Sequence, residues 1–477
     1  MTLAPPVAAP RSAASTRTPT PAPRTPHPAT PRWWRDAAAG IAAASLLFVV
    51  FLWLRGGGLM TLGAGAAGST TSIGRITGLL SADLLLLQVL LMARVPFVER
   101  SYGQDELARL HRLVGFWSFN LMLAHIAFIT VGYALTDSRN PLAELWNLVW
   151  TYPGMLMATV GTALLTMVVV TSIKAARRRL RYESWHLLHL YAYAGVGLAL
   201  PHQLWTGNDF LTSRAATLFW WGAYLATAGA VITYRLGLPA YRTLRHHPVV
   251  SRVTHESADV VSIYIRGRDL NKLPVRAGQF FVWRFLHGPG WTRGHPYSVS
   301  AAPGGELRIT VKELGAGSAQ LAALRPGTKV LLEGPYGRLS ADVRTQRTVT
   351  MLAAGIGITP LRALLEDLPY GRGEASLIYR ASSSDHLLLR NEIDELARTR
   401  GVEVFYVTGP RHTDRPSWLP ASAGRTSDVR MLQQLVPRIA SSDVYVCGPD
   451  AWLEAAVSAA HGAGVPAAQL HVERFSW

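Results

Sequence analysis

Four histidines at matching depths in long apolar runs constrain this chain more than any other feature. The stretch from Leu110 to Gln203 holds apolar runs at 114–134, 153–173 and 185–203, each near the roughly 20 residues a helix needs to cross a bilayer. His111 stands just ahead of the first run and His125 within it, while His189 and His202 mark the two ends of the third. Side chains that ionise or bind metals are expensive at membrane depth, so they point to function there. Helical rise puts about 21 Å between His111 and His125 and about 20 Å between His189 and His202. The first and third runs travel in the same direction, so His111 can face His189 and His125 can face His202. Neutral imidazoles on facing helices suit bis-histidine haem. Two pairs imply two b-type haems, with all four histidines as metal ligands.

Fourteen residues return a straight helix to nearly the same face, and small Ser118 sits midway on it. Thirteen residues leave a straight helix about 140° out of phase. Pro201, with Gly195 and Gly197 upstream, offers a kink that restores the aim of His202. His186 is a rival to His189, although its distance from His202 fits the vertical separation less well. A single histidine in such a run is more often structural; four at matched depths reverse that balance.

The charge distribution agrees with a membrane protein. Lys and Arg number 47 against 30 Asp and Glu, a formal net charge of +17. These cations gather between apolar runs instead of forming one stripe, which favours a topological role over nucleic-acid binding. Cys447 is the single cysteine, so an internal disulfide framework and multi-cysteine metal sites are excluded.

Residues 1–35, rich in Pro, Ala, Thr and Arg, cannot bury enough apolar surface to fold and are expected to form a disordered cytoplasmic tail. An apolar run at 37–54 is either a first span or a signal peptide, for which the preceding tail is unusually long. Further runs at 76–93, 114–134, 153–173, 185–203 and 215–236 bring the expected count to six spans. Arg94, Arg100, Arg109 and Arg112 lie on one side, as do Lys174, Arg177, Arg178, Arg179 and Arg181. The opposite loops carry only Arg55, Arg139 and Arg214. The positive-inside rule then makes both termini cytoplasmic in a multi-pass protein of the cell membrane. His111 and His189 fall on the inner side, His125 and His202 on the outer. Arg75 enters the second span at its outer end, where it either snorkels to the interface or holds an anionic group beside the outer haem. Asp83 in the same span is open between pairing with an arginine and relaying protons.

From Pro248 the periodicity turns to alternating β-type runs. Strands are expected at 249–255, 260–266, 279–285, 297–301, 307–313 and 329–333, which suggests a small antiparallel β-barrel. From Thr348, strands at 348–353, 376–380, 403–408, 443–447 and 470–475 alternate with helices, implying a parallel, doubly wound α/β domain. The expected architecture is thus a multidomain membrane protein. A tail (1–35) leads into a six-helix transmembrane di-haem bundle (36–238), a β-barrel (244–342) and an α/β nucleotide domain (345–477).

The motifs of the second half have their own chemistry. His295-Pro296-Tyr297-Ser298-Val299-Ser300 supplies an aromatic strand residue as a flat face for a planar ring. Gly315-Ala316-Gly317-Ser318 is a turn whose backbone N–H groups can approach phosphate oxygens, and Lys312 can add charge. Gly355-Ile356-Gly357-Ile358-Thr359-Pro360 follows a strand and opens a helix, but Pro360 replaces the third glycine of the dinucleotide fingerprint. In this order the motifs resemble the NADPH oxidase and ferric reductase family, with its ferredoxin–NADP reductase-like flavin module.

That resemblance implies FAD held by His295, Pro296, Tyr297, Ser298, Ser300, Lys312, Gly315, Gly317 and Ser318. It implies NADPH on Gly355, Gly357, Thr359, Pro360, Gly448 and Pro449, with Cys447 near the reacting carbon. The ending Glu473-Arg474-Phe475-Ser476-Trp477 resembles that family's terminus, where an aromatic covers the flavin; Phe475 matches by position and Trp477 is its rival. Arg380 ends the second strand of the α/β unit, where an arginine suits a 2′-phosphate and hence NADPH over NADH. The implied function is a transmembrane NAD(P)H oxidase or ferric-chelate reductase. Electrons would pass from cytoplasmic NADPH through FAD and two haems to dioxygen or ferric iron outside. A membrane-anchored flavin reductase acting on quinone or a partner protein is the alternative.

Overall fold

The computed structural model describes residues 33–475 except 181, 208, 209, 211, 212 and 289. Most of the expected tail lies outside the described residues, but Trp33–Arg35 already belong to the first helix. The chain divides into two compact units that meet at Leu236 and Gly237.

Each apolar run of the first unit folds as a helix. These are α1 (Trp33–Arg55), α2 (Gly65–Met92), α3 (Gln104–Thr136), α4 (Met155–Ser172), α5 (Tyr182–Trp205) and α6 (Arg214–Ala230). Among the described residues, five stretches are long and apolar enough to span a bilayer: α1 to α4, and α6 with its continuation to His246. The expected sixth span is α5, a 24-residue helix with Pro201 inside it. Helix α3 begins ten residues ahead of its apolar run, so His111 lies within it and not before it. Asp105 and Glu106 in its first turn complement the positive end of the helix dipole.

The histidine-bearing helices α3 and α5 do not pack directly on one another along their backbones. Helix α3 packs instead on α2, and α5 on α4. Both pairs are antiparallel and close through small residues, which lets backbones approach where lipid supplies no hydrophobic drive. Gly74 meets Ile129, and Gly132 meets Thr71. The Ser81 hydroxyl donates to the Ser118 carbonyl at 2.7 Å. Asp83 does not pair with an arginine. It is buried, and its Oδ1 accepts from Ser45 of α1 at 2.7 Å.

The second unit opens with α7 (Leu238–His246) and continues through β1 (Val249–Ser257), β2 (Val260–Arg266), β3 (Phe280–Phe285), β4 (His295–Ser298), β5 (Glu306–Lys312), the short α8 (Ala316–Ala322) and β6 (Val330–Tyr336). A closed barrel does not form. The strands make two three-stranded antiparallel sheets, β1-β2-β5 and β4-β3-β6. Only isolated bridges, Val249 to Lys329 and Val299 to Ile309, join them. One reason is local: β4 has four residues, and its Pro296 has no N–H for a ladder. Val250, Ile263, Ile265, Phe281, Trp283, Val299 and Ile309 fill the space between the two sheets.

The α/β expectation holds. In chain order follow β7 (Thr348–Ala354), α9 (Ile358–Asp367), β8 (Ala375–Ala381), α10 (Arg390–Arg400), β9 (Glu403–Thr408), α11 (Asp428–Leu435), β10 (Ser442–Cys447), α12 (Asp450–Gly462) and β11 (Leu470–Glu473). They form one parallel sheet in the order β11-β10-β7-β8-β9. Winding therefore reverses between β7 and β10, which places the ligand crevice at their carboxyl ends.

A buried carboxylate ties the opposite end of this sheet. Asp443, fully buried, accepts from the Thr345 amide at 2.6 Å, from the Gln346 amide, and from His471 Nε2 at 2.9 Å. Asp443→Ala orphans these donors and is expected to cost about 3 kcal/mol. At roughly 2–4 °C per kcal/mol for a domain of this size, the melting midpoint of the full chain, followed by circular dichroism, should fall by about 6 °C or more. A change under about 2 °C would show that the network contributes little.

Candidate functional site

The first group of interest is the four membrane histidines. The rings of His111 and His189 lie with centres 6.0 Å apart. Two metal–nitrogen bonds of about 2.0 Å laid end to end, with a nitrogen-to-centre distance added at each side, also give about 6 Å. His202 lies close enough to His125 for the two to interact electrostatically. Pro201, immediately before His202, removes one rung of the α5 ladder.

Hydrogen bonding fixes which nitrogen each ring presents. His111 Nδ1 lies 3.1 Å from the Gln88 carbonyl, His125 Nδ1 2.8 Å from that of Gly74, and His202 Nδ1 2.5 Å from that of Ala199. A carbonyl only accepts, so each of these Nδ1 atoms carries the proton. His189 Nδ1 is 3.3 Å from the Ser172 hydroxyl. That hydroxyl already donates its one proton to the Val168 carbonyl at 2.7 Å, so it accepts from His189. Every Nε2 is then a bare lone pair, and none takes a hydrogen bond among the described residues. An anchored Nδ1–H with a free Nε2 is the arrangement metal-ligating histidines adopt. No cluster of three or more His, Cys, Asp or Glu among the described residues is set to hold a bare ion, whereas a porphyrin iron needs only two axial ligands.

The second group surrounds β4. Tyr297 stacks on His295, with centres 5.8 Å apart and planes 6° from parallel. Burial pushes the Tyr297 phenol up to about 12, so it is neutral at physiological pH. Ser298 is buried, and its hydroxyl has no hydrogen-bond partner among the described residues. A cleft beside this strand is lined by Phe285, Trp291, Arg293, His295, Gly317 and Leu321. Ser318 closes the glycine turn by accepting from the amides of Leu314 at 2.8 Å and Gly315 at 3.2 Å. The orphaned Ser298 hydroxyl and the aromatic stack fit a flavin ring.

The third group sits at the switch point. Gly355 follows β7 with φ +54, a conformation that favours glycine. Gly357 presses on the end of β10, where a Cβ would come 2.3 Å from the Cys447 carbonyl. The nucleotide loop and Cys447-Gly448-Pro449 thus touch. Thr359 caps its own turn through the Ile356 carbonyl at 2.9 Å, and Pro360 is buried in the first turn of α9. Cys447 is fully buried, and burial together with the Glu473 carboxylate raises its thiol well above the usual range. Glu473 pairs in register with Cys447 and lies beside Gly337, the residue after β6. No role was expected of Glu473 from the sequence, although it stands two residues before Phe475.

Other expected residues are occupied elsewhere. Arg380 is buried and spends its guanidinium on the carbonyls of Ala381, Gly409 (2.7 Å) and Pro410 (3.1 Å). Lys312 pairs with Asp259 at 3.3 Å. The Ser300 hydroxyl accepts from Arg308 at 3.0 Å and Thr310 at 2.8 Å. Arg75 donates to the Gly56 carbonyl at 3.1 Å. Phe475 follows β11 and is partly exposed; Trp477 lies outside the described residues.

Comparison with known proteins agrees with both halves. Residues 77–200 match the ferric reductase like transmembrane component, and residues 351–458 match the oxidoreductase NAD-binding domain. The chain is 32% identical over 216 residues to ferredoxin–NADP reductase B of Sorangium cellulosum (strain So ce56), covering 42% of this chain and 84% of that protein. It is 28% identical over 234 residues to the flavohemoprotein of Bacillus subtilis (strain 168), covering 48% of this chain and 58% of that one. The chain is a membrane oxidoreductase in which a segment similar to the ferric reductase like transmembrane component is joined to a module that belongs to the ferredoxin–NADP reductase family and binds FAD and NAD(P)H.

Proposed function

We propose that this chain passes electrons from NADPH on the cytoplasmic side, through FAD and two b-type haems, to dioxygen or a ferric chelate on the outer face. The observation that carries this reading is the set of four imidazoles anchored through Nδ1, in a chain that also holds a reductase module. When bound, FAD takes up a hydride and releases electrons singly, and haem iron carries single electrons. His111 with His189 would hold the inner haem, and His125 with His202 the outer. α5 is the sixth span in this arrangement, and the arginine-rich loops face the cytoplasm.

The chain's own residues prepare the hydride step. Tyr297 offers a neutral aromatic face to the isoalloxazine, and the orphaned Ser298 hydroxyl meets its polar edge. Gly355 leaves room for the nucleotide, and Gly357 seats its loop against Cys447, whose protonated thiol packs beneath the nicotinamide side of the crevice. Phe475 covers the flavin from the far end of β11. The boundaries that follow from this assignment are 36–238 for the di-haem domain, 244–342 for FAD and 345–477 for NADPH.

Two measurements follow. In inside-out vesicles supplied with NADPH, superoxide and ferric probes held in the lumen should be reduced. His125→Leu should lower that signal at least tenfold while FAD content stays unchanged. Undiminished lumenal reduction would leave a membrane-anchored flavin reductase acting on quinone or a protein partner. Because Arg380 is bound to backbone carbonyls, Arg380→Ala should change kcat/KM for NADPH and NADH together, moving their ratio by less than about threefold. A tenfold fall in that ratio would assign the guanidinium to a 2′-phosphate.

A further inference from the structure

Helix α2 carries Gly74-Arg75-Ile76-Thr77-Gly78 directly opposite His125. The Gly74 carbonyl takes the His125 Nδ1 proton at 2.8 Å. One turn further on, a Cβ on Gly78 would come 2.4 Å from His125 Nδ1, 2.8 Å from Cε1 and 2.9 Å from Cγ, all atoms of one ring. The other tight glycines of this helix pair meet different atoms. A Cβ on Gly74 would strike Ile129, one on Gly132 would come 2.3 Å from Thr71 Oγ1, and one on Gly115 would meet only the tip of Gln88. General helix packing therefore accounts for Gly74 and Gly132, whereas at Gly78 the three nearest atoms all belong to the imidazole.

We infer that Gly74 and Gly78 are the positioning residues of the His125 imidazole: one supplies its acceptor, and the other the gap in which the ring lies against α2. A bulkier residue at 78 pushes the ring off the α2 backbone and turns Nε2 away from His202. The second pair stands differently, because His111 rests on the Gln88 carbonyl with no glycine beneath it. Ring placement by a missing side chain thus serves the His125–His202 pair selectively. This inference rests on the haem reading above.

The test measures haem, FAD and the optical redox titration of purified full-length protein for wild type, Gly78→Ala and Gly132→Ala. Wild type should titrate as two low-spin components. Gly78→Ala should keep its FAD and one component, halve the haem-to-FAD ratio, and lose the component that His125→Leu also removes. Gly132→Ala should retain both. Two unshifted components in Gly78→Ala, or loss of the same component in Gly132→Ala, would overturn the inference and assign Gly78 to ordinary packing. Haem-free wild type would instead overturn the haem reading itself. Should Gly78→Ala fail to accumulate, Gly78→Ala/Ile129→Ala slackens the seam at Gly74 and carries the same expectation.

Discussion

The hydrogen bond from each imidazole Nδ1 to a fixed acceptor is the interaction on which the membrane half depends. A neutral histidine has one proton and one lone pair, and the choice of tautomer decides what it can bind. Here three backbone carbonyls and a serine hydroxyl, itself already donating, take the four Nδ1 protons. The four Nε2 lone pairs that remain take no hydrogen bond among the described residues. Three of these acceptors come from the neighbouring helix, Gln88 and Gly74 of α2 and Ser172 of α4, whereas His202 uses the Ala199 carbonyl of its own helix; α3 leans on α2 and α5 on α4, and the two histidine helices do not close on each other.

The second unit solves a different problem, that of bringing two loops from distant parts of the chain to one point. The reversal of winding between β7 and β10 does this, since both strands end at the same crevice. Gly357 lets the loops touch at Cys447, and β11 brings Glu473 alongside. Asp443 fastens the other end of the same strands to the segment entering β7.

Much of this was legible in the sequence, for physical reasons. A histidine in an apolar run is rare enough to register, and periods of 2 and 3.6 residues separated strands from helices to within a few positions. Among the motif glycines the reason differs by position: Gly355 takes a positive φ, and Gly357 is crowded by the Cys447 carbonyl. Long-range choices were less visible. Barrel closure was expected from six strands, but it depends on partners that a four-residue strand containing Pro296 does not supply. Arg380 was read as a phosphate ligand because sequence does not distinguish a guanidinium that faces a ligand from one that caps carbonyls. Lys312 raised the same ambiguity, and Asp259 takes its charge. The relation of Gly74 and Gly78 to His125 exists only once α2 and α3 are paired.

Near-infrared magnetic circular dichroism of the oxidised, purified chain tests the central claim most directly, because its charge-transfer band reports the axial ligands of ferric haem. Both haems should give the band of neutral bis-imidazole ligation, with two haems per FAD. Absence of haem, or a band from any other ligand pair, would contradict the assignment of His111, His125, His189 and His202.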